Sequence, residues 1–69
     1  MEEFVERLKD LRIECGLSQQ QLADETKLSR SAISYWERGI KIPSAQAIIT
    51  LARYFGVTTD YLLGESDIK

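Results

Sequence analysis

The sequence predicts an all-α fold in which residues 1–69 form a single domain of five short helices. Apolar residues recur at steps of three and four along several segments, which is the spacing of one helix face. Residues that favour helix N-termini precede these segments, and glycines follow them. No apolar alternation is long enough for a strand, so we expect a helical bundle without β-structure.

The first two helices are predicted from apolar spacing and end residues. Helix 1 runs from about Glu2 to Cys15, and Gly16 is placed as its C-terminal cap. Helix 2 starts at Ser18, because Ser with Gln21 three residues later has the form of a capping box. The expected buried residues are Phe4, Leu8, Leu11 and Cys15 in helix 1, and Leu22 and Ala23 in helix 2.

Only about three residues separate the second predicted helix from the third. So short a connection forces two helices into a steep crossing, the helix-turn-helix arrangement. Ser29 is the expected N-cap of helix 3, which ends before Gly39. Ile33 and Trp36, one turn apart, are its expected core residues.

Two further helices complete the predicted domain. After the loop Gly39 to Pro43, Ser44 caps helix 4, which ends at Gly56. Thr58 opens a short helix 5, and Gly64 ends it. The expected apolar residues are Ile48, Leu51, Ala52 and Phe55 in helix 4, and Tyr61, Leu62 and Leu63 in helix 5.

Composition argues against several classes of function. Cys15 is the only cysteine and histidine is absent, which removes an internal disulfide, the commonest metal ligand and the commonest general base. We read Cys15 as a small apolar filler, and expect no enzyme activity, no metal and no cofactor. There is no apolar run of roughly 20 residues, and the acidic start Met1-Glu2-Glu3 is unlike a signal peptide, so we expect a cytoplasmic protein and no membrane contact.

Charge is distributed unevenly along the chain. The net charge is −2, yet residues 27–53 hold five cations against Glu37 alone, a local balance of +4. Residues 1–26 have a balance of −4, and residues 54–69 of −2. Because nucleic-acid binding depends on cations that meet phosphates, the basic segment is the expected binding region.

Helix 3 presents one core face and one polar face when its residues are placed at about 100° each. Arg30, Ser31, Ser34 and Tyr35 share the polar face, and Glu37 lies on the border. Arginine can donate two hydrogen bonds to guanine, serine lets the backbone approach, and tyrosine offers a hydroxyl and an apolar ring. The polar face is therefore the candidate for reading bases in the major groove of double-stranded DNA.

Over about residues 5–64, the sequence closely resembles the lambda-repressor/Cro (XRE-type) family of helix-turn-helix regulators, with matching residues in the same order. Those of the first three helices and the following loop are Gly16-Leu17-Ser18-Gln19, Leu22-Ala23, Leu28-Ser29, Ile33-Ser34, Trp36-Glu37-Arg38-Gly39 and Pro43. Those of the last two helices are Phe55-Gly56-Val57-Thr58 and Asp60-Tyr61-Leu62-Leu63-Gly64. The resemblance implies a five-helix DNA-binding domain whose third helix, Ser29 to Arg38, lies in the major groove.

The resemblance also implies roles for individual residues. Arg30, Ser31 and Tyr35 match base-reading positions, and Arg12 with Glu37 resembles an ion pair that ties helix 1 to helix 3. Lys27 occupies a turn position where the family often has Gly; a left-handed backbone there costs about 1 kcal/mol, and its cation is expected to face phosphate. The expected phosphate contacts are Gln19, Ser29, Lys27, Arg38 and Lys41.

The preferred function is a transcriptional repressor that binds a two-fold related operator as a homodimer. An activator remains open, as does the alternative of an antitoxin or other protein-interaction module with accessory DNA binding. The candidate dimer surface comprises Tyr54, Tyr61, Leu62 and Ile68, although Tyr61 and Leu62 equally suit a role in closing the core.

Overall fold

The computed structural model describes residues 1–69, which form five helices and no strand. The helices are α1 (Glu2–Glu14), α2 (Gln19–Thr26), α3 (Arg30–Glu37), α4 (Ala45–Phe55) and α5 (Thr59–Leu63). None has both the length and the apolar character that crossing a membrane requires. The predicted fold class is confirmed, and every predicted helix is present.

Side-chain caps set the starts of four helices. Ser18 Oγ accepts from the Gln21 N–H at 3.0 Å, and Gln21 Oε1 accepts from the Ser18 N–H at 2.8 Å, so the predicted capping box is present. Ser29, Ser44 and Thr58 each accept in the same way from the backbone N–H three residues later. Each such cap stabilises its helix by about 1 kcal/mol.

The end of α1 differs from the prediction at one residue. Helix α1 ends at Glu14, Gly16 takes a left-handed backbone (φ +70°), and the Leu17 N–H donates to the Arg12 carbonyl at 3.1 Å. This turn exposes Cys15 and packs Leu17 against the core. The expectation that Cys15 is buried is therefore wrong, because the helix stops before its position and Leu17 covers the core instead.

One core joins all five helices. Helix α1 packs against α3 and α5, α2 packs against α3 and α4, and α4 packs against α5. Leu62 of α5 is fully buried in this core, so its assignment to a dimer surface is wrong; its side chain closes the domain from within. The buried apolar residues are Phe4, Leu8, Leu11, Leu22, Ala23, Ile33, Trp36, Ala47, Ile48, Leu51, Ala52 and Leu62.

Candidate nucleic-acid interface

Helices α2 and α3 are joined by only three residues, 27–29. Lys27 is left-handed, with φ +63°, and is the only residue other than glycine with a positive φ. Beside it, the buried Thr26 hydroxyl donates to the Leu22 carbonyl at 2.7 Å and accepts from the Leu28 N–H at 3.4 Å. The turn thus combines a strained residue with a hydroxyl that satisfies backbone groups on both sides, and the expected helix-turn-helix is present.

Helix α3 has the two faces that its sequence predicts. Ile33, Trp36 and Glu37 are buried against the domain. On the other side, the four predicted base-reading residues come together with Arg38 around a shallow depression of about 210 Å³. Arg30 and Ser31 are exposed, whereas Ser34 and Tyr35 are half-buried. The depression therefore presents guanidinium, hydroxyl and aromatic groups to solvent, while the opposite face of the helix is packed against the domain.

Two cations extend this polar surface beyond the end of α3. Arg38 is the C-terminal cap residue, and its Nε donates to the Ser34 carbonyl at 3.4 Å. Its guanidinium carbon lies 5.4 Å from the centroid of the Tyr35 ring, and Lys41 Nζ lies 4.8 Å from the same centroid. Arg38 and Lys41 are both exposed, so their charges remain accessible to an anion.

A buried ion pair connects α1 to the last residue of α3. Arg12 Nε donates to Glu37 Oε2 at 2.7 Å and Arg12 Nη2 donates to Glu37 Oε1 at 3.0 Å, while Nη1 donates to the Leu17 carbonyl at 2.8 Å. The Glu37 side chain is only 2% exposed. Its hydrogen bond raises the pKa of Arg12 above the usual value, against the opposing effect of burial. The ion pair implied by the family resemblance is present.

Gln19 adds a contact to this ion pair that sequence reasoning did not find. Its Nε2 donates to Glu37 Oε1 at 3.2 Å, so the first residue of α2 is bound to the last residue of α3. A glutamine amide has two N–H donors, and this bond uses one of them. Gln19 is half-buried, and no local pattern marks it as a partner of a residue eighteen positions away.

Sequence reasoning also missed Arg7. Its guanidinium donates to the Tyr61 and Ser66 carbonyls and to Asp67, and stacks over the Tyr61 ring at 4.2 Å. These contacts hold the C-terminal residues against α1. They also cover part of Tyr61, one of the candidate dimer residues, and Lys69 Nζ lies 5.6 Å from the same ring.

The remaining candidates lie in the turn, at the start of α3 and in the C-terminal part of the chain. Lys27 is exposed in the turn, and Ser29 is exposed at the start of α3, where its Oγ accepts from the Ala32 N–H at 3.2 Å. Of the candidate dimer residues, Tyr54 is 38% exposed and Ile68 is 79% exposed. The exposed candidates therefore lie at both the turn and the C-terminal part of the domain.

Comparison with known proteins identifies the family. A family model described as "Helix-turn-helix" matches residues 8–62. The chain is 39% identical over 66 residues to the HTH-type transcriptional activator BcrR of Enterococcus faecalis, an alignment that covers 96% of this chain and 32% of BcrR. It is 30% identical over 63 residues to the HTH-type transcriptional regulator ImmR of Bacillus subtilis (strain 168), covering 91% of this chain and 50% of ImmR. The chain thus spans about a third of the length of BcrR and half of the length of ImmR.

The fold is also similar to a solved structure of a bacterial regulator. The restriction-modification controller protein C.AhdI of Aeromonas hydrophila superimposes with a TM-score of 0.79 at 37% identity. The match covers 87% of this chain and 91% of the C.AhdI chain, so it includes nearly the whole helical domain. The chain belongs to the helix-turn-helix family of DNA-binding transcriptional regulators.

Proposed function

We propose that this chain recognises a specific DNA sequence by placing the polar face of α3 in the major groove. The observation that carries the proposal is the depression that brings together the base-reading candidates Arg30, Ser31, Ser34 and Tyr35 on the exposed side of an anchored helix. Arg30 is suited to guanine O6 and N7, the serines to either base-pair type, and the Tyr35 hydroxyl to an exposed donor or acceptor. This function is binding without catalysis, and we place it in the cytoplasm.

Phosphate contacts on both sides of α3 position the helix in this proposal. Gln19 supplies its second amide N–H at the start of α2, where unpaired backbone amides also favour an anion. The Ser29 hydroxyl still has its proton to donate after accepting from Ala32, and Lys27, Arg38 and Lys41 supply charge. Such contacts fix the register on the duplex and carry no sequence information.

We further propose that two copies bind one two-fold related operator. The domain measures 27 × 23 × 20 Å, which suits one half-site, and half-sites one helical turn apart lie about 34 Å from each other. The exposed Tyr54 and Ile68 are the apolar residues we assign to the contact between copies, with Tyr61 at its edge. Sedimentation of the chain with and without operator DNA tests this step; a single copy per operator at saturation would contradict it.

The regulatory outcome follows from where the operator lies. A bound dimer over a promoter excludes polymerase, which is the repression we propose. Similarity to BcrR, named as an activator, favours activation as a second outcome for the same recognition surface. Reporter transcription with the operator placed over the promoter and then upstream of it separates the two: repression alone predicts a decrease only in the first arrangement.

Selection of bound sequences from a random duplex pool tests the recognition proposal. With the wild-type chain we expect enrichment of a two-fold motif. With Arg30→Ala or Tyr35→Ala, the base preference should be lost at particular positions of each half-site. Arg53, an exposed arginine of α4 in the same basic segment, supplies the control, since Arg53→Ala should leave the enriched motif unchanged. A pool that enriches no motif with the wild-type chain would overturn the proposal.

A further inference from the structure

The aromatic ring of Tyr35 contacts both cations at the end of α3. Lys41 Nζ and the Arg38 guanidinium carbon lie 4.8 and 5.4 Å from the ring centroid, within the range of a cation–π interaction. The other cation–π pairs of the chain join Arg7 and Lys69 to Tyr61. A half-buried tyrosine on the proposed base-reading face therefore also contacts two of the proposed phosphate-binding residues.

The backbone explains why these side chains meet. Gly39 is left-handed (φ +71°), its N–H donates to the Trp36 carbonyl at 3.1 Å, and the Ile40 N–H donates to the Tyr35 carbonyl at 2.9 Å. The second bond returns the chain over the last turn of α3. Lys41, the next residue, is therefore brought back beside Tyr35 instead of leading away from the helix.

We propose that Tyr35 is a positioning residue for Arg38 and Lys41, in addition to its place among the base-reading residues; this inference rests on the proposed DNA-binding function. Long cationic side chains lose rotamer freedom when they bind a phosphate. A ring that restricts them beforehand reduces that loss, which strengthens binding to any sequence. Both cations remain exposed while they contact the ring. Arg38 Nε is bonded to the Ser34 carbonyl, and the other Arg38 donors and the Lys41 ammonium stay available to DNA.

The ring and the hydroxyl of Tyr35 have separate functions in this role. The ring supports sequence-independent affinity by holding the cations, whereas the hydroxyl takes part only in base recognition. Removing the ring should therefore weaken binding to random DNA more than removing the hydroxyl alone. A ring that competed with phosphate for the cations would have the opposite effect, because its removal would tighten binding.

Binding of a random-sequence 20-base-pair duplex at several salt concentrations tests this directly. We expect Tyr35→Leu, which lacks the ring, to bind about three- to fivefold more weakly than Tyr35→Phe, which keeps it. In a background with both Arg38→Met and Lys41→Met, Tyr35→Leu should have less than a twofold effect, because the groups it positions are gone. Equal or tighter binding by Tyr35→Leu relative to Tyr35→Phe would overturn the proposal.

Nuclear magnetic resonance of the free chain supplies a readout that needs no DNA. The Lys41 ε-methylene and Arg38 δ-methylene protons should be shifted upfield by the ring in wild type and Tyr35→Phe, and should lose that shift in Tyr35→Leu. Absence of the shift in wild type contradicts the positioning role even if DNA binds. Failure of wild type to bind the duplex at low salt contradicts the proposed function instead. Tyr35→Met is a second non-aromatic variant if Tyr35→Leu folds poorly.

Discussion

The two faces of α3 differ in almost every physical respect although the helix has only eight residues. The inner face is buried and closely partnered: Ile33 is inaccessible to solvent, and Glu37 binds both Arg12 and Gln19. The outer face carries Arg30 and Ser31, which are exposed to solvent. Substitutions on the inner face should therefore change folding, and those on the outer face should change DNA binding alone.

The largest expected effect is on the inner face. Glu37→Ala removes the partner of the largely buried Arg12 guanidinium and leaves that charge uncompensated. We expect the free energy of unfolding to fall by about 3–5 kcal/mol. Urea denaturation measures the loss. Glu37→Gln, which keeps the shape and part of the hydrogen bonding, should lose less stability. A loss below about 1 kcal/mol in Glu37→Ala would show that the inner face does not depend on this ion pair.

A substitution on the outer face should change DNA recognition and leave stability nearly unchanged. Arg30→Ala should reduce discrimination between the selected operator and random DNA by about 1–3 kcal/mol. Its free energy of unfolding should stay within about 0.5 kcal/mol of wild type, since the side chain is exposed. Competition binding assays and urea denaturation measure the two quantities. A fall in stability as large as that of Glu37→Ala would contradict the separation of the two faces.

Beyond the end of α3, Lys41→Ala should weaken operator and random DNA alike. Loss of one phosphate contact should reduce the slope of log affinity against log salt concentration by about one. Lys9, exposed on the acidic helix α1, provides the control, because Lys9→Ala removes the same charge far from the proposed surface in sequence. A sequence-dependent loss in Lys41→Ala would make Lys41 a base-reading residue instead.

The smallest expected effect lies in the turn that connects α2 to α3. Lys27→Gly should raise the free energy of unfolding by about 1 kcal/mol, because glycine adopts the left-handed backbone without strain. Lys27→Ala keeps the strained Cβ while removing the charge, and should give no such gain. Thermal denaturation of the two variants distinguishes strain from charge. Equal stability of both would indicate that the turn holds no strain.

Local chemistry explains why much of the fold was predictable. The starts of α2, α3, α4 and α5 depend on a serine or threonine and the N–H three residues later, so a short window contains the whole signal. The two faces of α3 follow from helical spacing. The Arg12–Glu37 pair was predicted only through the family resemblance, because the partners lie 25 residues apart.

Tertiary packing explains what was not predictable. Arg7 forms hydrogen bonds with residues that are 54 to 60 positions later in the chain. Gln19 contacts Glu37 only after α2 and α3 have packed together. Leu62 was assigned to two roles because apolar spacing does not distinguish a core from an exposed contact surface. The burial of Leu62 and the exposure of Cys15 depend on where α5 docks and where α1 ends. No short window of sequence shows where α5 docks.

We infer that the outer face of α3 reads bases, whereas the inner face only holds the helix on the domain. The most direct test is the ratio of affinities for the selected operator and a random duplex, measured for wild type and for the double variant Arg30→Ala with Tyr35→Ala. We predict that the ratio falls towards one while the folded helical spectrum is retained. A double variant that folds and discriminates as well as wild type would contradict the claim.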